Sequence, residues 1–166
     1  IRIGLEVDTV EDPGTKFDAF TTALVTSVQK HPDADRLQIC TVDTGNEQVQ
    51  VVCGAPNARA GMIGVFAPAG SWIPGLDLKL KVAEIRGVES NGMLVSEREM
   101  GLSDDHEGII ELPGETAVGK PFASILGIDD PIIDIELTPN RPDCTGVRGI
   151  ARDLAAADLG HLKPFL

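Results

Sequence analysis

Short apolar runs, each with a turn signal just beyond it, recur through the first half of this chain. Residues 20–29, 37–42, 49–53, 63–67 and 80–85 are rich in β-branched or alternating apolar side chains, and Gly, Pro, Asn or Asp stands after each. Runs this short carry no amphipathic helical stripe and predict strands instead. Five strands at such spacing, with 93–95 as a short addition, suit a small closed barrel. The expected fold is therefore α+β and mainly β, with a five-stranded OB-type barrel and further pieces beside it.

The run at 79–97, KLKVAEIRGVESNGMLVSE, predicts the closing hairpin. Leu80, Val82 and Ile85 alternate with Lys79, Lys81 and Glu84, the period of a strand with one buried face. Arg86-Gly87 ends that run, Ser90-Asn91-Gly92 supplies turn chemistry, and Met93 to Val95 resume the apolar pattern. On this reading Lys79 and Lys81 share one side of a strand that Arg86 terminates, which makes a short basic stripe. Upstream, Asp43-Thr44-Gly45-Asn46 marks a second hairpin turn, and His31-Pro32-Asp33-Ala34-Asp35 a third. His31 is expected to hold its turn, with a ligand role as the alternative; Asp33 and Asp35 read as turn formers that bond backbone N–H groups.

Outside this core the signals are sparser. Residues 3–10 predict a strand and 11–18 a linker, whereas 108–112, 122–126 and 131–137 predict short strand or helix pieces. Val147, Ile150, Ala151, Leu154 and Ala155 fall at helical spacing, so a terminal helix is expected over 142–159, with Asn140 and Asp143 as its N-terminal cap and Gly160 as its stop. Strand-like sequence on both sides of a barrel that is complete in itself predicts that 4–10 and 132–137 lie together as paired strands.

Charge argues against a strong polyanion binder, since the chain carries a formal −12 and phosphate binding draws on clustered Lys and Arg. The surplus is local: residues 20–96 are near neutral, and the acids concentrate over 97–136. With no Tyr, one Trp and five Phe, aromatic platforms for stacked bases are scarce. Three cysteines without a CxxC pair suit small buried hydrophobes in a reducing compartment, so a cytoplasmic setting without metal or cofactor is expected. The chain has no run of 18 apolar residues and no signal-peptide pattern, and it contains no GxSxG, Walker or HExxH motif, which leaves no catalytic constellation to read. A start at Ile1, already in strand-like sequence, suggests a fragment of a longer protein.

Three motifs in order, HPDADRLQICTVDTG, VVCGAPNARAGMIGVFAPAG and AEIRGVESNGMLVSE, resemble the tRNA-binding barrel domain of aminoacyl-tRNA synthetases and their accessory factors. The flanks GLEVD, GIIELP and DIELTPNRPDCTGVRGIARDLAA resemble the beta subunit of bacterial phenylalanyl-tRNA synthetase. The resemblance implies a barrel over 20–126, inserted into a small α/β domain of which 1–19 and 127–166 are two incomplete parts. It implies a non-catalytic tRNA-binding module, with aminoacylation in an alpha subunit and editing in other beta-subunit domains. The partners would be tRNA, held weakly, together with that alpha subunit and the remaining beta-subunit domains. It also implies phosphate contacts from Lys30, Arg36, Lys79, Lys81 and Arg86 and a polar contact from Asn91. For each of these the alternative is a solvated or hairpin-stabilising side chain. Two other readings stand beside it: a scaffold barrel that docks neighbouring domains, and a stand-alone tRNA-binding factor, against which the NRPDC–GIARDLAA tail argues.

Overall fold

A computed structural model describes residues 3–164. The chain divides into two compact units: Pro13–Asp129, and the segments up to Asp12 and from Asp130 onward. In chain order the strands are β1 (Glu6–Glu11), β2 (Thr21–His31), β3 (Ala34–Asp43), β4 (Gln48–Cys53), β5 (Ile63–Pro68), β6 (Trp72–Ile73), β7 (Leu78–Lys79), β8 (Ala83–Ile85), β9 (Val88–Ser90), β10 (Gly92–Leu94) and β11 (Ile132–Glu136). The helices are short: α1 (Glu97–Met100), α2 (Phe122–Leu126) and α3 (Val147–Ala156). The protein is mainly β, as its pattern of short runs predicts.

In the larger unit β10, β5, β2, β3 and β4 form one antiparallel five-stranded sheet in that order. Strand β5 lies second from one edge and is buried on both faces, which is why it reads as an unbroken apolar run. Phe66 joins a core with Val25, Cys40, Val42, Val51 and Leu94. Val65 and Ala67, one position out of phase, join a second core with Phe17, Phe20, Ile73, Met100 and Phe122. Phe17 meets Phe20 and Phe122 edge-on, with ring centroids 6.2 and 6.0 Å apart, the arrangement that the ring quadrupoles favour. The stretch read as a linker thus holds a 3₁₀ turn, Thr15–Phe17, that delivers a fully buried aromatic.

The fifth strand of the sheet is β10, and the predicted 80–85 strand is broken. Leu80 spends its backbone groups on the preceding turn: its N–H donates to Ser71 O at 2.7 Å and its carbonyl accepts from Gly70 N at 2.8 Å. Beyond it, β8 pairs only with β9, through a two-residue turn in which Arg86 (φ 50°) and Gly87 (φ 80°) are both left-handed. That geometry matches the twist of a tight hairpin, so local pairing wins over addition to the main sheet. Val82, expected inside, is 54% exposed.

The sheet edges approach each other through the β9–β10 corner. Asn91 N–H donates to Gln50 O at 2.9 Å, Val52 N–H to Ser90 Oγ at 3.0 Å, and Gln50 Nε2 to Glu89 O at 2.8 Å. No β-ladder closes the sheet among the described residues. Gly92 lets β10 lie against β5, since a Cβ there would sit 2.4 Å from a ring carbon of Phe66. Helix α1 was not foreseen, although Ser96 and Glu99 make a complete capping box.

In the smaller unit β1 pairs antiparallel with β11, from Glu6 opposite Glu136 to Glu11 opposite Ile132, the pairing that the strand-like sequence of 4–10 and 132–137 predicts. The terminal helix is shorter than predicted. A separate 3₁₀ turn, Pro142–Cys144, precedes α3, whose N-cap is Gly146 in place of Asn140. Asp143 does not cap it, because its carboxylate accepts from Arg141 Nε at 3.2 Å and from Arg152 Nη2 at 2.5 Å. Among the described residues no helix is long and apolar enough to cross a membrane.

Candidate nucleic-acid interface

Two turns are knitted together at one end of the larger unit. The β2–β3 turn carries His31, which is buried. Asp33 N–H donates to His31 Nδ1 at 3.1 Å, which fixes Nδ1 as the acceptor; Nε2 is then the protonated nitrogen and donates to Ile85 O at 3.0 Å. The β8–β9 turn answers with Arg86, whose Nη1 donates to Asp33 O at 3.0 Å. His31 therefore holds its own turn, as the sequence suggests, and also the hairpin opposite. Both of its ring nitrogens are consumed by backbone.

This knot brings Arg86 to the turn flanked by Lys30 and Arg36, and all three side chains are exposed. Lys79 and Lys81 are exposed too, but they do not form the expected stripe on one strand. Lys79 ends β7, opposite Trp72 of β6, and Lys81 lies outside any strand because the backbone turns at Leu80. Asn91 is half-buried, and its Nδ2 donates to Glu89 Oε1 at 2.9 Å while its backbone secures β4. Trp72, which sequence reasoning passed over, is 53% exposed beside Lys79. Its signal was the position between a Gly-Ser turn and Ile73-Pro74.

Cys40 and Cys53 are free and buried in the sheet core. A hydrogen bond to Cys53, followed by burial, pushes the Cys40 thiol far up, so it stays protonated. In the smaller unit Asp143, Cys144 and Asp153 converge closely enough to share an ion. Arg141 occupies their midst: its guanidinium bonds Asp143, Asp153 and, at 2.7 Å, Cys144 Sγ, and it also donates to Ile3 O at 3.0 Å. Hydrogen bonds from Arg141 hold the Asp143 carboxyl well below the usual aspartate range and lower that of Asp153. The cluster is an internal ion pair network, its charge already compensated.

Over 165 residues, 99% of its length, this chain is 62% identical to the phenylalanine–tRNA ligase beta subunit of Brucella abortus (strain 2308), covering 20% of that protein. It is 56% identical to the same subunit of Zymomonas mobilis subsp. mobilis over 99% of this chain and 21% of that protein. The chain thus spans about a fifth of the length of these relatives. A MetRS related protein from Pyrococcus horikoshii, 28% identical, superposes over 60% of this chain and 84% of its own with a TM-score of 0.44, too loosely to carry weight. A family profile described as "Putative tRNA binding domain" matches residues 20–121, from the residue before β2 to the residue before α2. The chain belongs to that tRNA-binding domain family.

Proposed function

We propose that Pro13–Asp129 is a non-catalytic tRNA-binding module of a phenylalanine–tRNA ligase beta subunit, built as an OB-type barrel over 20–126. The observation that carries this reading is the family match over 20–121, which spans all five strands of the main sheet. The curved sheet whose edges meet at Asn91 and Gln50 supports the barrel. On this reading the segments up to Asp12 and from Asp130 onward, rather than all of 1–19 and 127–166, are parts of the domain into which the barrel is inserted. Aminoacylation then belongs to an alpha subunit and editing to further beta-subunit domains, so tRNA and these chains are the partners, in the cytoplasm, with no cofactor needed in this segment.

Exposed Lys30, Arg36 and Arg86 around the knotted turns, with Lys79, Lys81 and Asn91 nearby in sequence, supply the phosphate and polar contacts on this reading. The net charge of −12 makes the interaction weak and salt-sensitive, since repulsion acts over a Debye length of roughly 10 Å at 0.1 M salt. Titration of tRNA at several salt concentrations tests it. Replacing Lys79, Lys81 and Arg86 together by Ala is expected to remove most of the affinity and flatten the salt slope by about one unit per lost phosphate contact. Unchanged affinity and slope would favour the second reading, a scaffold barrel. That reading draws on exposed apolar side chains of the larger unit itself, among them Trp72 at 53% and Val82 at 54%.

A further inference from the structure

The β6–β7 hairpin presents an aromatic ring and a cation on one outward face. Trp72 stands directly opposite Lys79 in the antiparallel register, and opposed residues project on the same side. The next position along, Ile73, is fully buried, so the alternation turns Trp72 and Lys79 away from the core. Trp72 is 53% exposed. The hairpin is held at both ends: Leu80 bonds Ser71 and Gly70 at its base, and in its turn Gly75 N–H donates to Glu99 O of α1 at 2.8 Å. An exposed indole on a fixed backbone loses little freedom on contact.

We propose that Trp72 is a base-stacking residue, taking an unpaired base of the tRNA on its indole while Lys79 takes a neighbouring phosphate. This rests on the tRNA-binding reading and adds to it a contact of a different kind. Stacking is favourable whatever the base and needs no net positive surface. That suits a hairpin in which Lys79 is offset by Asp77 and a chain of net charge −12.

The chain holds a single tryptophan, so its emission reports this site alone. The intact chain is titrated with tRNA, following anisotropy of end-labelled tRNA for binding and tryptophan emission for contact. Emission should be quenched in step with binding. Trp72→Ala should weaken binding by roughly 5- to 150-fold, the worth of one stacked base, without changing the salt slope. Trp72→Phe should fall between, and Lys79→Ala should lower the slope. Since Trp72 is exposed, thermal melts of both Trp72 variants should match the parent. Binding without quenching, or quenching with full affinity in Trp72→Ala, overturns the stacking role and leaves the tRNA reading standing; the patch is then a protein contact. Absence of any tRNA binding by the parent overturns both.

Discussion

His31 Nε2 and the carbonyl of Ile85 are joined at 3.0 Å across 54 positions of sequence, and this bond, with that from Arg86 to Asp33 O, links the two turns of the proposed interface. Removing it by His31→Ala takes their partner from Ile85 O and Asp33 N–H at a part-buried site and empties a buried position. The expected cost is about 1–3 kcal/mol, read as a lower denaturation midpoint. Hydrogen exchange should accelerate first at residues 83–90, since β8 and β9 pair only with each other.

Arg86 occupies a left-handed position, φ 50°, where a side chain is disfavoured by roughly 1 kcal/mol. Arg86→Gly therefore separates charge from turn. It should leave the melt within about 1 kcal/mol of the parent, because relief at the turn offsets the lost bond to Asp33 O. Affinity for tRNA should fall, with a salt slope smaller by about one.

Gly92→Ala places a Cβ 2.4 Å from Phe66 Cε2 and 2.7 Å from Ala67 O. Strand β10 must then lift from β5 or the Phe66 ring must move within its core. Overpacking of this kind costs about 1–3 kcal/mol. Chemical denaturation checks the size of the loss, and exchange at β10 checks its place.

The Arg141 network gives the smaller unit an acid-sensitive term. Asp143 and Asp153 have lowered values in the folded chain, chiefly through hydrogen bonds from Arg141. As pH falls below about 4 the unfolded chain takes up protons first, so stabilisation present at neutral pH is lost as pH drops toward the folded values. Arg141→Ala should be less stable at pH 7 and show a flatter decline below pH 4. Circular dichroism along a pH series, with loss of exchange protection at β1 and β11, measures it.

Strands β2 to β5 were legible because each is long enough, or apolar enough, to show its period whatever it pairs with. The 80–85 run was misread for the opposite reason: alternation states that a strand has two faces, not which neighbour it has. The Arg86-Gly87 turn that decided the matter was visible, but its reach was not. Helix α1 could have been read from Ser96 and Glu99. At the terminal helix, Asn140 and Asp143 have the spacing of a cap, and Asp143 is drawn instead to Arg141 and Arg152. Of the interface, the residue types were readable and the knot was not, because the His31 and Arg86 contacts join turns that are distant in sequence. Trp72 was counted as scarcity of aromatics, whereas its exposure depends on a two-residue strand that no periodicity reveals.

The pairing of Glu11 with Ile132 has a kinetic meaning. For an unfolded chain, bringing those positions together closes a very long loop, at an entropic cost that grows with the logarithm of its length. Once Pro13–Asp129 has folded, that span is already ordered, and the loop left to close when β1 meets β11 costs far less entropy. The smaller unit should therefore form after the larger one and open before it. Substituting a tight turn for the whole insert should leave β1 and β11 able to find each other without it.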